Sequence, residues 1–260
     1  MHTEPRNSVA IVTGAAGGIG AAVAAGLAKT GASVAAIDRD PAVLESAVES
    51  LRRRGFQAEA FCADVSSSTD ISATVDQIER DIGPIDMLVN AAGILRLGEA
   101  RTLTDEDWLT TLSVNATGVF YVSRAVANHM VSRRRGSIVT VASNAAGTPR
   151  VGMAAYAASK AAATIFTKCL GLGTAKHGIR CNVVAPGSTE TRMLRSLWKD
   201  DDGPRGSIDG VPGEYRVGIP LGRLGQPSDI AASVLFLLSD QAAHITMHEL
   251  TVDGGASLGV

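Results

Sequence analysis

Thiols are scarce in this chain: Cys62, Cys169 and Cys181 are widely separated, odd in number and without any Cys-x-x-Cys spacing. That pattern excludes a disulfide framework or a cysteine metal site, and the apolar surroundings predict small buried side chains in a reducing compartment. Excess charge is also missing. The formal net charge is -2 over 260 residues, so the chain has no field that would recruit nucleic acid or an anionic membrane. No uninterrupted apolar run reaches the length of a membrane span, and the first eight residues are polar, without the apolar centre of a secretion signal. His244 and His248 are four apart but lack a third ligand, so no metal is expected. There is no internal repeat and no low-complexity tract. A single cytoplasmic domain spanning 1–260, with small-molecule partners, is the expectation.

What the chain does have is alternation. The apolar run Ser8–Thr13 leads into Gly14-Ala-Ala-Gly-Gly-Ile-Gly20, and alanine-rich helical sequence then continues to Lys29 and stops at Gly31. Glycines at 14, 18 and 20 let the backbone turn tightly and approach a pyrophosphate at a helix N-terminus. A second strand, Ser33–Asp38, ends in an acid eighteen residues beyond Gly20. An aspartate there can hold both ribose hydroxyls of NAD and repels a 2′-phosphate, so NAD is favoured over NADP, although Arg39 is adjacent. The pattern continues with a helix over 41–54, a strand ending at Asp64-Val65, a helix over 68–82 and a strand at Met87–Asn90. Long helices over 105–134 and 154–177 flank a strand at Gly136–Ala142, and Arg180–Ala185 forms the next strand. Residues 192–216 lack periodicity and read as a mobile substrate flap with one short helix around Met193–Trp198. A helix at Gln226–Ser239 and a strand at Glu249–Asp253 close the chain. Repeated βα winding of this kind predicts an α/β, Rossmann-type doubly wound parallel sheet with helices on both faces.

Chemistry is concentrated between Ser143 and Lys160. Tyr156 and Lys160 are four apart on a predicted helix, which stacks an ammonium beside a phenol. A cation about 4 Å away at an effective dielectric of ~20 favours phenolate by roughly 4 kcal/mol, about three pKa units before any discount for solvent. Such a tyrosine can accept an alcohol proton, and Ser143, ending an apolar strand, can fix the substrate oxygen against it. Asn115 interrupts the preceding long helix among apolar neighbours. A buried amide there needs partners.

Taken together, Thr13-Gly14-x-x-x-Gly18-x-Gly20, Asp64, Asn90-Ala-Ala-Gly93, Asn115, Ser143, Tyr156-x-x-x-Lys160 and Pro186-Gly187 resemble the short-chain dehydrogenase/reductase family over essentially the whole chain. The resemblance implies a seven-stranded Rossmann sheet, a homotetramer, and Asn115, Ser143, Tyr156 and Lys160 as a catalytic tetrad. It also implies adenine contacts at Asp64 and Val65, a ribose contact at Asn90 and a phosphate contact at Ile19. Pro186, Gly187, Thr189 and Thr191 would lie on the nicotinamide side, and Tyr156 and Lys160 at the nicotinamide ribose.

A narrower likeness runs through Leu88–Gly98, Thr148–Met153, Arg195–Trp198, Val217–Gly222 and Val252–Gly259. These segments resemble the branch of the family that oxidises (2S,3S)-2,3-dihydroxy-2,3-dihydrobenzoate to 2,3-dihydroxybenzoate for catechol siderophores. A small anionic cyclohexadiene diol as substrate gives a purpose to Arg96, Arg150 and Arg195, with Arg150 the first choice and Met153 beside the ring. A carrier-ligase partner would then take the product. The alternatives are another dehydrogenase of the family, such as a 3-oxoacyl-carrier-protein reductase or a cyclic alcohol dehydrogenase, and a dinucleotide sensor without turnover.

Overall fold

The apolar runs become strands of one parallel sheet. The computed structural model describes residues 8–198 and 202–259. The polar residues 1–7 and positions 199–201 of the expected flap lie outside the described residues.

In chain order the first half comprises β1 (Val9–Thr13), α1 (Gly18–Lys29), β2 (Ser33–Asp38), α2 (Pro41–Arg53), β3 (Ala58–Cys62), α3 (Ser68–Asp81) and β4 (Ile85–Asn90). Then come α4 (Asp105–Leu112), α5 (Gly118–Arg133), β5 (Gly136–Val141), α6 (Ala154–Thr174) and β6 (Ile179–Pro186). The last third holds α7 (Arg192–Arg195), α8 (Gly203–Asp209), the two-residue strands β7 (Gly210–Val211) and β8 (Arg216–Val217), α9 (Pro227–Leu238) and β9 (Glu249–Val252).

The main sheet has seven strands in the order β3-β2-β1-β4-β5-β6-β9, all parallel. Thr13 is in register with Ile37 on one side and Asn90 on the other, so the strand order reverses between β1 and β4. The chain leaves β1 and β4 toward opposite edges of the sheet. This splays the connections apart and opens a crevice at the strands' C-terminal ends.

Both faces are covered, which is why the strands read as continuous apolar runs rather than alternating ones. Ala10 and Val12 of β1 pack with α1, α2 and α9, through Val23, Leu27, Val48 and Val234. Val9 and Ile11 point the other way, onto α3 and α5, through Ile71, Val75, Val126 and Met130. Local chemistry sets where the helices start. Asp40 accepts from the Ala42 and Val43 backbones ahead of Pro41, and Gln226 and Asp229 form a reciprocal cap around Pro227.

Four expectations need correction. β3 ends at Cys62 rather than at Asp64-Val65, because Asp64 Oδ1 accepts from both the N–H and the hydroxyl of Ser66 and bends the chain into a turn. The long helix over 105–134 is two α-helices joined by a π-turn, Ser113–Thr117, centred on buried Asn115. Among its described residues the expected flap carries two short helices and a hairpin, not one helix. Its second helix has Pro204 in its first turn, and its hairpin pairs Val211 with Arg216. Finally, Cys62 and Cys169 are exposed, and of the three thiols only Cys181 is buried. Cys62 ends the edge strand β3 and Cys169 points outward from α6, so an apolar sequence neighbourhood did not mean an apolar surround.

Candidate active site

A cleft of about 490 Å³ occupies the crevice between β1 and β4. Its floor is the glycine turn, from Gly14 to Gly20, and Asp38, Asp64 and Val65 line it on one side. Gly14 adopts a φ of +67°, and a side-chain carbon there would lie 2.8 Å from the Ala92 backbone. A side-chain carbon on Gly20 would sit 2.1 Å from the Gly14 carbonyl oxygen. Only glycine fits both places, and the result is a backbone cradle open to a phosphate at the α1 N-terminus. Ile19 lines that cradle, and Thr191 closes over it, its methyl 3.4 Å from where a Gly18 side chain would begin.

Asp38 is fixed to the same loop. Its Oδ2 accepts from the Ala16 N–H at 3.2 Å, and its Oδ1 accepts from the Arg39 N–H at 2.8 Å. The Asp64 carboxyl is held below its ordinary range by the Ser66 hydroxyl and then by the Ser66 backbone. Both carboxylates therefore face the cleft as oriented acceptors. Asn90, Pro186, Gly187 and Thr189 do not form its wall. Asn90 is buried in the sheet and donates to Ser123 and Thr140, and the Thr189 hydroxyl donates to the Gly187 carbonyl. Any ribose contact at Asn90 would have to come from its backbone.

The titratable groups meet behind the wall at the far end of the cleft, and none of Asn115, Ser143, Tyr156 and Lys160 lines the cleft directly. A side-chain carbon on Gly93 would lie 3.3 Å from both Lys160 Nζ and Asn115 Oδ1, so cleft wall, lysine and asparagine are contiguous. Tyr156 and Lys160 occupy the first two turns of α6, with Nζ 5.8 Å from the phenol ring centre. Nζ donates to the Val141 carbonyl at 2.9 Å, anchoring the lysine to the end of β5. Ser143, just beyond β5, hydrogen-bonds the Tyr156 phenol. Asn115 bonds both polar groups of Ile94 and donates to Ser159, whose hydroxyl donates to the Tyr156 carbonyl.

The electrostatics differ from the simple stacking argument. Burial pushes the Tyr156 phenol up, and the Ser143 hydroxyl pulls it part of the way back. Part of the ring remains at the surface, which limits the size of that rise. Burial also lowers Lys160, from 10.5 to about 8. Desolvation, which weakens both charged forms, outweighs the attraction between them in the protein alone. The lysine is still mostly protonated at neutral pH, and its positive charge stabilises the phenolate form of Tyr156.

The expected substrate residues separate into two kinds. The loop after β4 is bridged to the loop before α6, Gly98 N–H donating to the Gly152 carbonyl at 3.0 Å, and this brings Arg96, Arg150 and Met153 to one side of the tetrad. Arg96 faces Asp107 at 3.8 Å, and Arg195 is bound to Glu190 at 2.6 Å. Both are exposed and already have a counter-ion. Arg150 is half-buried and makes no such pair among the described residues. Burial lowers it, followed by the nearby Arg216, while Asp253 opposes them.

Several positioning residues escaped the sequence reading. Thr13 Oγ1 accepts from the N–H groups of Ala91 and Ala92, clamping the glycine strand to the wall opposite. Ser159 links Asn115 to the Tyr156 backbone, and Asn144 ties the Ser143 turn to Asp253. The usable signal for each was a small polar residue at the end of an apolar strand or inside an apolar helix face. Arg192, Met193 and Val114 also line the cleft.

Comparison with known proteins places this geometry in context. A family model described as short chain dehydrogenase matches residues 8–202. The chain is 59% identical over 252 residues to the 2,3-dihydro-2,3-dihydroxybenzoate dehydrogenase of Bacillus subtilis (strain 168), covering 97% of each. It is 42% identical over 248 residues to the protein of that name from Escherichia coli (strain K12), covering 95% of this chain and 96% of the other. Among solved structures, a gluconate 5-dehydrogenase from Burkholderia cenocepacia J2315 in complex with NADP and tartrate superposes with a TM-score of 0.89 at 33% identity, covering 98% and 97% of the two chains.

Proposed function

The chain belongs to the short chain dehydrogenase family, and we propose that it catalyses the NAD-dependent oxidation of (2S,3S)-2,3-dihydroxy-2,3-dihydrobenzoate to 2,3-dihydroxybenzoate. The observation that carries the reading is contiguity: Ser143, Tyr156 and Lys160 converge at the end of a dinucleotide-shaped cleft, next to the bridged loops that hold Arg150 and Met153.

The cleft fits the cofactor. Gly14, Gly18, Ile19 and Gly20 would hold the pyrophosphate, Asp38 the adenosine ribose, Asp64 and Val65 the adenine, and Thr191 the nicotinamide end. Asp38 would repel a 2′-phosphate, which favours NAD. When bound, the oxidised nicotinamide supplies the hydride acceptor. Ser143 orients the C3 hydroxyl, and Tyr156 takes its proton. Lys160, protonated and anchored on Val141, stabilises the Tyr156 phenolate that accepts this proton and becomes a neutral phenol, and Asn115 holds the cleft wall against that lysine. The resulting ketone tautomerises to the aromatic catechol, which makes the oxidation effectively one-way. The reading carries with it a cytoplasmic homotetramer and a carrier-ligase that consumes the product in catechol siderophore synthesis.

Mixing purified protein with NAD+ and the dihydrodiol acid, then following NADH and catechol absorbance together, tests the proposal. Stoichiometric appearance of both is the expected result. Turnover of a sugar, a cyclic alcohol or a 3-oxoacyl carrier with no turnover of the acid would overturn it.

A further inference from the structure

Two of the arginines expected to greet a carboxylate already face carboxylates of their own, and one that was not expected has no such partner among the described residues. Arg216 lies in β8, opposite Val211 in the flap hairpin, and is half-buried. Its guanidinium forms no hydrogen bond or ion pair with another described residue, and neither does that of Arg150. The two are brought close by a chain of contacts. Asn144, next to Ser143, donates to Asp253 Oδ2 at 3.1 Å. The glycines after Asp253 receive the end of the flap: Leu221 N–H donates to the Gly254 carbonyl at 3.1 Å, and Pro220 lies against Gly255. Ile219 N–H ties the same segment to the Ile208 carbonyl at 2.7 Å, fixing the hairpin beside it.

The charge inventory of this corner is uneven. Arg150 feels both Arg216, which opposes its charge, and Asp253, which favours it. The Asp253 carboxylate is already engaged: Oδ2 accepts from Asn144 and Oδ1 from the Gly255 N–H. Two guanidiniums thus share one carboxylate, both of whose oxygens already accept a hydrogen bond. Half-buried like charges are held together without a counter-ion only where the fold constrains them, and such a site favours an incoming anion.

We infer that Arg150 and Arg216 together form the carboxylate subsite, with Arg216 delivered by the flap hairpin, so that anion recognition and flap position are one event. This rests on the dihydrodiol acid as substrate class. Arg96 and Arg195 stay with their own carboxylates.

The test compares Arg216→Met and Arg216→Lys with wild type on the dihydrodiol acid and on the same ring diol lacking the carboxylate. The ratio of kcat/KM for acid over neutral diol should fall roughly 10- to 100-fold in Arg216→Met, mostly through KM, and recover in part in Arg216→Lys. An unchanged ratio would overturn the assignment, whether both rates hold or both drop together as a packing defect would make them. If wild type turns over neither diol, the proposed reaction fails, and calorimetric titration of benzoate into wild type and Arg216→Met decides the subsite separately. Benzoate binding that disappears in the variant upholds it. Equal binding, or none to wild type, removes it.

Discussion

Asn115 and Ile94 exchange a reciprocal pair of hydrogen bonds: the Ile94 N–H donates to Asn115 Oδ1 at 2.8 Å, and Asn115 Nδ2 donates to the Ile94 carbonyl at 2.9 Å. A side-chain amide here does the work of a neighbouring strand, satisfying a loop that lines the cleft. Asn115→Leu leaves both groups of Ile94 without partners, so urea denaturation should show a loss of about 2–4 kcal/mol. Asn115→Asp keeps only the acceptor and should fall between the two.

Tyr156→Phe removes the proton acceptor and little else, since the phenol's partner in the protein is Ser143. Turnover should drop by roughly 10²–10⁴-fold or more while NAD affinity, read by calorimetry, stays within a factor of about two. Undiminished turnover would remove Tyr156 from the chemistry.

The Ser143 hydroxyl draws the phenol's pKa down against burial, which raises it. Ser143→Ala deletes that pull. The rising limb of kcat/KM against pH should therefore move to higher pH in the residual activity, in addition to any fall in its plateau. A limb that stays in place would mean the serine only positions substrate.

Lys160 gives a stability signature. The unfolded chain keeps this proton up to the ordinary 10.5, whereas the folded protein releases it near 8. Between those values the unfolded state binds more protons, so stability rises with pH, by on the order of 2–3 kcal/mol across the window. Cys181 acts the other way, because its thiol is raised from 9.0 to about 11 and folded-state stability falls over that range. The interval from pH 8 to about 9 thus isolates the lysine. Denaturation midpoints of wild type should climb there, and those of Lys160→Met should not.

Asp38→Ala should narrow the preference for NAD over NADP by raising NADP affinity, measured as the ratio of kcat/KM for the two cofactors. The same variant frees the Ala16 N–H in the glycine turn, so some loss of NAD binding should accompany it.

Much of the architecture was legible because the central strands are buried on both faces. Val9 to Thr13 and Ser33 to Asp38 carry an unbroken apolar signal that no surface element would show. The glycine turn and the Tyr156–Lys160 spacing were legible because they are local. What was not legible depends on distant partners. Nothing near Asn115 in sequence announces Ile94, and nothing near Arg96 or Arg195 says whether Asp107 or Glu190 has already claimed it. The direction of the Tyr156 shift was misjudged for the same reason. Pairwise attraction can be read from spacing, but desolvation is set by everything packed around the pair. The flap's second helix and hairpin were missed because Gly, Pro and Asp mark turns without saying what lies between them.

The five residues from Ser113 to Thr117 carry a lesson for redesign. Excising one of them would restore a regular helical rod from Asp105 to Arg133 with tighter backbone bonding, and would rotate everything before the cut by about 100° relative to everything after it. That deletion would also swing Asn115 off Ile94 and leave both polar groups of the Ile94 backbone without partners. The irregular coil therefore sets helical regularity against the cleft wall it supports, and a thermostabilising library should leave it untouched.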